Sequence, residues 1–196
     1  MAGASRHEID VERVRVLGAA SGGRIGIVTL PAPGRPRFVL DLGYATVGSP
    51  AYPRDRQSSS RVAIDLAPRH PFQPPLTTVL TPIFHPHVFT SGIVCIGAKW
   101  MPGDGMDLFV QRLVRLLAFD PLLMNPHSIA HRAASLWYQG ALQRHPQAFP
   151  TDPAAVEAPA RVLRHCPHCN AALRLPPGRS GTVACPRCSR DFEVRS

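Results

Sequence analysis

Cys95 is the residue whose type and setting most directly permit covalent chemistry. It follows Ser91 and Gly92, and His85 and His87 precede it in the same segment. The thiolate is a strong nucleophile, whereas a thiol buried in an apolar core is inert, so a cysteine among Gly, Ser and His residues is a candidate covalent catalyst. A thiol protease dyad of Cys95 with His87 is an alternative, but the flanking residues carry no protease signature.

The other four cysteines form two Cys-x2-Cys pairs with fifteen residues between them, which is the spacing of a zinc site. Each pair aims two sulfurs at one ion, and together they complete a tetrahedral shell. Two disulfides are the alternative. We favour zinc because residues 1–10 lack the apolar core of a secretion signal, so we expect a cytoplasmic protein. The predicted ligands of this structural Zn2+ are Cys166, Cys169, Cys185 and Cys188.

Several motifs surround Cys95 in a defined order. A His-Pro-Phe-Gln-Pro-Pro segment occupies residues 70–75, Cys95 lies ten residues after His85 of a His-Pro-His segment, and a Trp-Met-Pro segment begins at Trp100. This order resembles the core of ubiquitin-conjugating enzymes, where Tyr-Pro-Phe-x-Pro-Pro, His-Pro-Asn, the acceptor cysteine and Trp-x-Pro follow one another. The interval from Cys95 to Trp100 is shorter than in typical eukaryotic members, which indicates a divergent, bacterial relative.

The resemblance implies catalytic roles for three residues. Cys95 would accept the C-terminal carboxyl of a ubiquitin-like protein as a thioester. His87 stands where the family has the tripeptide Asn, which stabilises the oxyanion or holds the loop that does so; an imidazole can donate an N–H, but it can also act as general base. Asp120 lies where the family often places an aspartate that deprotonates the attacking amine. An Asp that opens a turn before Pro121 is the alternative.

The function that the resemblance implies is conjugation of a ubiquitin-like protein by a transferase. Its partners would be the ubiquitin-like protein, an activating enzyme, and a target protein or ligase that the zinc module could bind. A catalytically inactive scaffold that binds a ubiquitin-like protein is the alternative, because His87 departs from the family pattern.

Length and charge restrict the other function classes. A chain of 196 residues, 44% hydrophobic and 18% charged, can hold one domain of roughly 150 residues plus a small module that needs a metal to fold. Seven arginines against Asp191 and Glu193 leave +5 of the net charge of +9 in residues 161–196. Nucleic acid is still not the expected partner, since this segment lacks an aromatic-interleaved basic patch. No apolar run predicts a membrane span.

The apolar pattern predicts an α+β fold of the ubiquitin-conjugating kind. A helix is predicted over residues 7–17, and after it an antiparallel four-stranded meander. The predicted strands are residues 25–30, 38–47, 62–66 and 77–80. After Cys95 two helices are predicted to cover one sheet face. The first begins near Asp107; the second begins with Asn125 as cap and Pro126 at its first position.

These observations predict three parts. Residues 1–145 form the ubiquitin-conjugating-like catalytic domain, residues 146–160 a Pro- and Ala-rich linker, and residues 161–196 a zinc ribbon. The linker assignment rests on proline content without periodicity. Within the ribbon, two strands are predicted around a Gly-bearing turn between the cysteine pairs, and a third over Phe192–Val194.

Overall fold

The structure is a computed structural model of the chain, and it describes residues 5–32, 36–97, 100–156, 162–175 and 180–195. The chain divides into two units, Met1–Val156 and Glu157–Ser196. The helices of the first unit are α1 (Arg6–Ala20), α2 (Met106–Leu117), α3 (Arg132–Arg144) and α4 (Pro153–Val156). Its strands are β1 (Ile25–Thr29), β2 (Arg37–Leu42), β3 (Thr46–Val47), β4 (Arg56–Gln57), β5 (Ser60–Asp65) and β6 (Leu76–Val79).

Helix α1 begins where a capping box satisfies the free backbone N–H groups of its first turn. The Ser5 hydroxyl accepts from the Glu8 N–H at 3.4 Å, and the Glu8 carboxylate accepts from the Ser5 N–H at 2.6 Å. The helix predicted over residues 7–17 is confirmed and is longer than expected.

The predicted meander is confirmed as an antiparallel sheet with strand order β1-β2-β5-β6. Alternate residues of β2 and β5 face the core, and each of Phe38, Leu40, Val62 and Ile64 is fully buried. The strand predicted over residues 38–47 is wrong in its second half. The chain leaves the sheet after β2, and β3 pairs with β4 instead.

Helix α2 confirms the helical period predicted after Cys95. It places Phe109, Leu113, Leu116 and Leu117 in the same buried cluster as the inner face of the sheet. This packing of one amphipathic helix on a sheet face gives the α+β architecture predicted from the sequence.

The start predicted for the next helix is wrong. Asn125 does not cap it; the Asn125 side chain accepts from the His127 N–H at 2.9 Å and forms a turn, and α3 begins only at Arg132. Helix α3 does not pack on the sheet; its Ala141 lies in a second buried cluster with Val47, Phe119 and Phe149.

Much of the segment predicted as a linker packs on the first unit. Phe149 is buried, with its ring centroid 5.4 Å from that of Phe119. The Thr151 hydroxyl donates to the Ala45 carbonyl at 2.6 Å, and the buried Asp152 carboxylate accepts from the Ala45 N–H at 2.9 Å. The first unit therefore continues to Val156, and residues 157–160 of the predicted linker lie outside the described ranges.

The second unit contains two hairpins in its described residues. Strand β7 (Val162–His165) pairs with β8 (Ala172–Leu175), and β9 (Ser180–Ala184) pairs with β10 (Asp191–Arg195). Each hairpin closes over one cysteine pair. The three predicted strands are present as β8, β9 and β10, but β8 pairs with an additional strand, β7, instead of with β9. Part of the predicted turn, residues 176–179, lies outside the described ranges. In the ranges that the structure describes, no helix has the length and hydropathy of a membrane span.

Candidate active site

Cys95 follows a short irregular hairpin at the edge of the sheet. Val88 and Val94 form its antiparallel bridge, and the Val94 N–H donates to the Thr77 carbonyl of β6 at 2.9 Å. Gly92 forms the tight turn with φ +86°, where a Cβ atom would lie 2.5 Å from the Val79 carbonyl oxygen. The sequence needs glycine here because an L side chain disfavours this backbone region and has no space. The hairpin therefore fixes the chain that leads into Cys95.

Cys95 is half-buried, and its thiol forms no disulfide. Its Sγ lies 3.1 Å from the Ser128 Oγ, and the Cys95 N–H donates to the His87 carbonyl at 2.8 Å. The structure thus brings together two of the predicted residues, Cys95 and His87, and adds Ser128, which the sequence reasoning missed.

His87 holds the loop that carries Ser128. Its buried imidazole accepts the Asn125 N–H at Nε2 (3.2 Å), and the Ser128 N–H donates to the Asn125 carbonyl at 3.2 Å. Since Nε2 is an acceptor, the proton of the neutral ring belongs on Nδ1. Burial lowers the pKa of His87, an effect that the Ser128 backbone partly offsets. A neutral ring whose Nε2 lone pair is already used is poorly suited to act as general base.

His85 has a structural role between the hairpin and α2. Its fully buried ring donates from Nε2 to the Leu116 carbonyl at 2.9 Å and accepts the His87 N–H at Nδ1 at 3.0 Å. Burial lowers the pKa of His85 to about 3, and the neighbouring His87 acts in the same direction. This neutral ring links the hairpin to the end of α2.

Asp120 is used by its own turn. Its buried carboxylate accepts from the Arg115 Nε at 2.6 Å and from the Leu122 N–H at 3.0 Å. These contacts match the turn-opening alternative, and within the described residues no hydrogen bond joins Asp120 to Cys95. Its predicted part in catalysis stays a prediction.

Comparisons with known proteins find similarity to ubiquitin-conjugating enzymes. A segment of 42 residues is 40% identical to ubiquitin-conjugating enzyme E2 T of Danio rerio, and this match spans 21% of the chain and only 22% of that relative. No family model matches the chain. A protein of Trypanosoma cruzi, assigned as a ubiquitin conjugating enzyme, is 14% identical with a TM-score of 0.49, over 77% of this chain and 97% of that chain.

A second solved structure, of a protein of Plasmodium yoelii assigned as a ubiquitin conjugating enzyme, decides the fold. It is 16% identical with a TM-score of 0.51, over 80% of this chain and 94% of that chain. The first unit has a ubiquitin-conjugating-enzyme-like fold. In this unit, the half-buried Cys95 and its hairpin lie beside the loop of residues 120–131. Two backbone bonds join the loop to the hairpin, because the N–H groups of Ala130 and His131 both donate to the Pro86 carbonyl at 2.9 Å.

Trp100 contacts the Pro-rich segment of residues 70–75, and this segment in turn contacts helix α1. The Trp100 indole N–H donates to the Pro71 carbonyl at 2.6 Å, and the buried His70 ring contacts the Asp10 carboxylate at 2.7 Å. These contacts anchor the chain that follows Cys95.

The four remaining cysteines form a cluster in the second unit that could hold a metal ion. Their sulfurs all lie within 4.8 Å of one another, with 3.7 Å between Cys166 and Cys188 and 3.6 Å between Cys169 and Cys185. Four thiolates about 2.3 Å from a tetrahedral Zn2+ lie roughly 3.8 Å apart, so the donor set and its spacing fit zinc.

The two cysteine pairs have nearly the same local backbone. The Asn170 N–H donates to the Cys166 carbonyl at 2.9 Å and the Ser189 N–H to the Cys185 carbonyl at 2.8 Å, and both Asn170 and Ser189 have φ of 56°. The His168 N–H also points to the Cys166 Sγ at 3.4 Å. Two matching turns present two sulfurs each, which is the arrangement that a closed four-thiolate site needs.

Proposed function

We propose that the chain is a ubiquitin-conjugating-like transferase that carries a ubiquitin-like protein as a thioester on Cys95. The observation that carries this proposal is a half-buried, free thiol on an irregular segment of a ubiquitin-conjugating-like fold. A thioester needs a reachable sulfur, and the later transfer needs access for an amine. The partners are the ubiquitin-like protein, its activating enzyme, and a target protein or ligase.

The chemistry assigns a distinct task to each residue. The Cys95 sulfur attacks the activated carboxyl and later leaves when an amine attacks the thioester carbonyl. His87 positions the neighbouring loop through the Asn125 N–H, because its Nε2 accepts that bond. This matches the loop-holding role that the resemblance implies for the tripeptide Asn.

A charging reaction tests this proposal. The protein is mixed with its activating enzyme and ubiquitin-like protein, and the products are compared with and without a thiol reductant. We expect a reductant-sensitive adduct for the wild type, a reductant-resistant ester for Cys95→Ser and no adduct for Cys95→Ala. A wild-type protein that never charges, under conditions where its activating enzyme does, would refute the proposal.

The scaffold alternative draws support from one observation, the occupation of the Asp120 carboxylate by Arg115 and Leu122. With that carboxylate committed, proton removal from an amine needs another acceptor. A scaffold would keep its cellular function in the Cys95→Ala variant, whereas a transferase would lose it.

We also propose that the cysteine cluster holds a structural Zn2+, with Cys166, Cys169, Cys185 and Cys188 as ligands. A bound Zn2+ would replace side-chain packing as the centre of this small unit. The four-sulfur shell leaves no position for substrate, so the role is structural. The zinc ribbon then serves as the interaction surface for a partner.

A further inference from the structure

Ser128 contacts the atom on which the proposed chemistry takes place. Its Oγ lies 3.1 Å from the Cys95 Sγ, and its side chain is half-buried. In the resting protein either group can donate this hydrogen bond. A sulfur that carries an acyl group, or that leaves as thiolate, has no proton to donate, so the Ser128 hydroxyl becomes the donor.

A closed ring of hydrogen bonds holds Ser128 in this place. From Cys95 the N–H donates to the His87 carbonyl at 2.8 Å, the His87 Nε2 accepts the Asn125 N–H at 3.2 Å, and the Asn125 carbonyl accepts the Ser128 N–H at 3.2 Å. The Ser128 hydroxyl then returns to Cys95. The ring spans more than thirty residues of sequence, so its geometry depends on the tertiary fold and preorganises the hydroxyl.

We propose that Ser128 is a catalytic residue that hydrogen-bonds the Cys95 sulfur as leaving group, an inference that rests on the proposed thioester function. An amine attacks the thioester carbonyl carbon, the C–N bond forms and the C–S bond breaks. The electron pair of the C–S bond goes to the sulfur, and the proton of the amine goes to water. Ser128 keeps its own proton and donates a hydrogen bond to the developing thiolate, which is charge-assisted and therefore stronger than a neutral one.

A small acyl group tests this step without the cognate partners. Cys95 is acetylated by exchange with a low-molecular-weight thioester, excess reagent is removed, methylamine is added, and acetyl loss from the Cys95 peptide is followed by mass spectrometry. We expect Ser128→Ala to slow the loss about tenfold, the size of effect that removal of one hydrogen bond to a charged group produces. Ser128→Thr keeps a hydroxyl and should restore most of the rate.

Two controls separate catalysis from folding. Ser91→Ala removes an exposed hydroxyl from the neighbouring hairpin and should discharge at the wild-type rate. His87→Ala removes the bond to the Asn125 N–H that positions Ser128, so it should also slow discharge. The double variant should be no slower than Ser128→Ala, because His87 acts only through the Ser128 hydroxyl.

The inference is overturned if Ser128→Ala discharges at the wild-type rate, or if Ser128→Thr is as slow as Ser128→Ala. The proposed function fails in a different way. In that case the cognate ubiquitin-like protein never charges Cys95, while discharge of the acetyl group still depends on Ser128.

Discussion

His85 and His87 share a short segment but serve the site differently. His85 supports the hairpin from below through the Leu116 carbonyl, and His87 holds the neighbouring loop through the Asn125 N–H. Both are neutral because burial lowers the pKa of each ring. At the residue scale, the site therefore depends on uncharged imidazoles. Protonation of these rings at low pH should destabilise the folded site.

The pH dependence of stability tests the neutral state of His85. Its pKa is lowered by burial from 6.5 to about 3. Between these values the unfolded chain binds a proton that the folded chain does not, so stability is full above pH 6.5 and falls as the pH decreases toward 3. We expect a loss from this group of about 1.4 kcal/mol per pH unit below 6.5, measured by urea unfolding from pH 7.5 to 4.5.

A glutamine in place of His85 can keep a polar contact but cannot titrate. The His85→Gln variant should therefore show a flatter pH profile, whatever its stability at neutral pH. His145→Gln changes an exposed histidine and should keep the wild-type slope. Equal slopes in the wild type and His85→Gln would show that His85 is not held neutral.

Residue types revealed only part of the site. Cys95 was visible because it lacks a paired cysteine, and His87 because of its place in the motif. Ser128 carries no such signal, since a serine near a proline is common in loops; only its 3.1 Å contact with the Cys95 Sγ, produced by the fold, distinguishes it. The ion pair of Asp120 with Arg115 was not predicted either, although Arg115 lies only five positions earlier in the sequence.

At the scale of elements, the site depends on the hairpin that precedes Cys95. One of its backbone bonds to β6 involves Gly92, whose carbonyl accepts from the Val79 N–H at 2.8 Å. This connection attaches the irregular segment to the sheet. A substitution at Gly92 should therefore also shift the position of the Cys95 thiol.

Gly92→Ala tests this attachment. The new methyl group would meet the Val79 carbonyl oxygen and also require a left-handed backbone. We expect a loss of roughly 1 to 3 kcal/mol in unfolding free energy. Gly103→Ala is the matched control, because nothing lies within 4 Å of its added Cβ, and it should change stability little. Equal stabilities of the two variants, measured by denaturant titration, would contradict the assigned role of the turn.

The periodicity of apolar residues predicted those helices and strands that bury one apolar face in the core. Helix α2 and the four sheet strands have a regular apolar face, so their existence was readable. The start of α3 was not, because Asn125 followed by Pro126 fits both a helix cap and a turn. What decides between them is the pair of bonds from Ala130 and His131 to the Pro86 carbonyl, a contact between distant parts of the chain.

At the scale of the whole molecule, the two units rest on different sources of stability. The first unit has a large buried apolar cluster, whereas the second has two short hairpins around four sulfurs. A unit of that size lacks the apolar area to fold without a metal. Metal removal should therefore affect the second unit alone.

Removal of the metal by a chelator tests whether the second unit alone depends on it. We expect one Zn2+ per chain by elemental analysis. A strong chelator should release it and remove amide-exchange protection from strands β7 to β10, while protection of α2 and of the four-stranded sheet remains. Cys185→Ser should show the same pattern without chelator, because three thiolates bind zinc more weakly than four. Unchanged protection of the second unit after the metal is gone would contradict a structural metal.

We propose that Cys95 carries another protein's C-terminus through a thioester. The most direct measurement is intact mass spectrometry of the chain isolated from its own cells under acidic, non-reducing conditions. We predict a species heavier by one ubiquitin-like protein, linked at Cys95, released by reductant and missing from Cys95→Ala. Absence of that species, in cells whose activating enzyme carries its own thioester, would contradict the account.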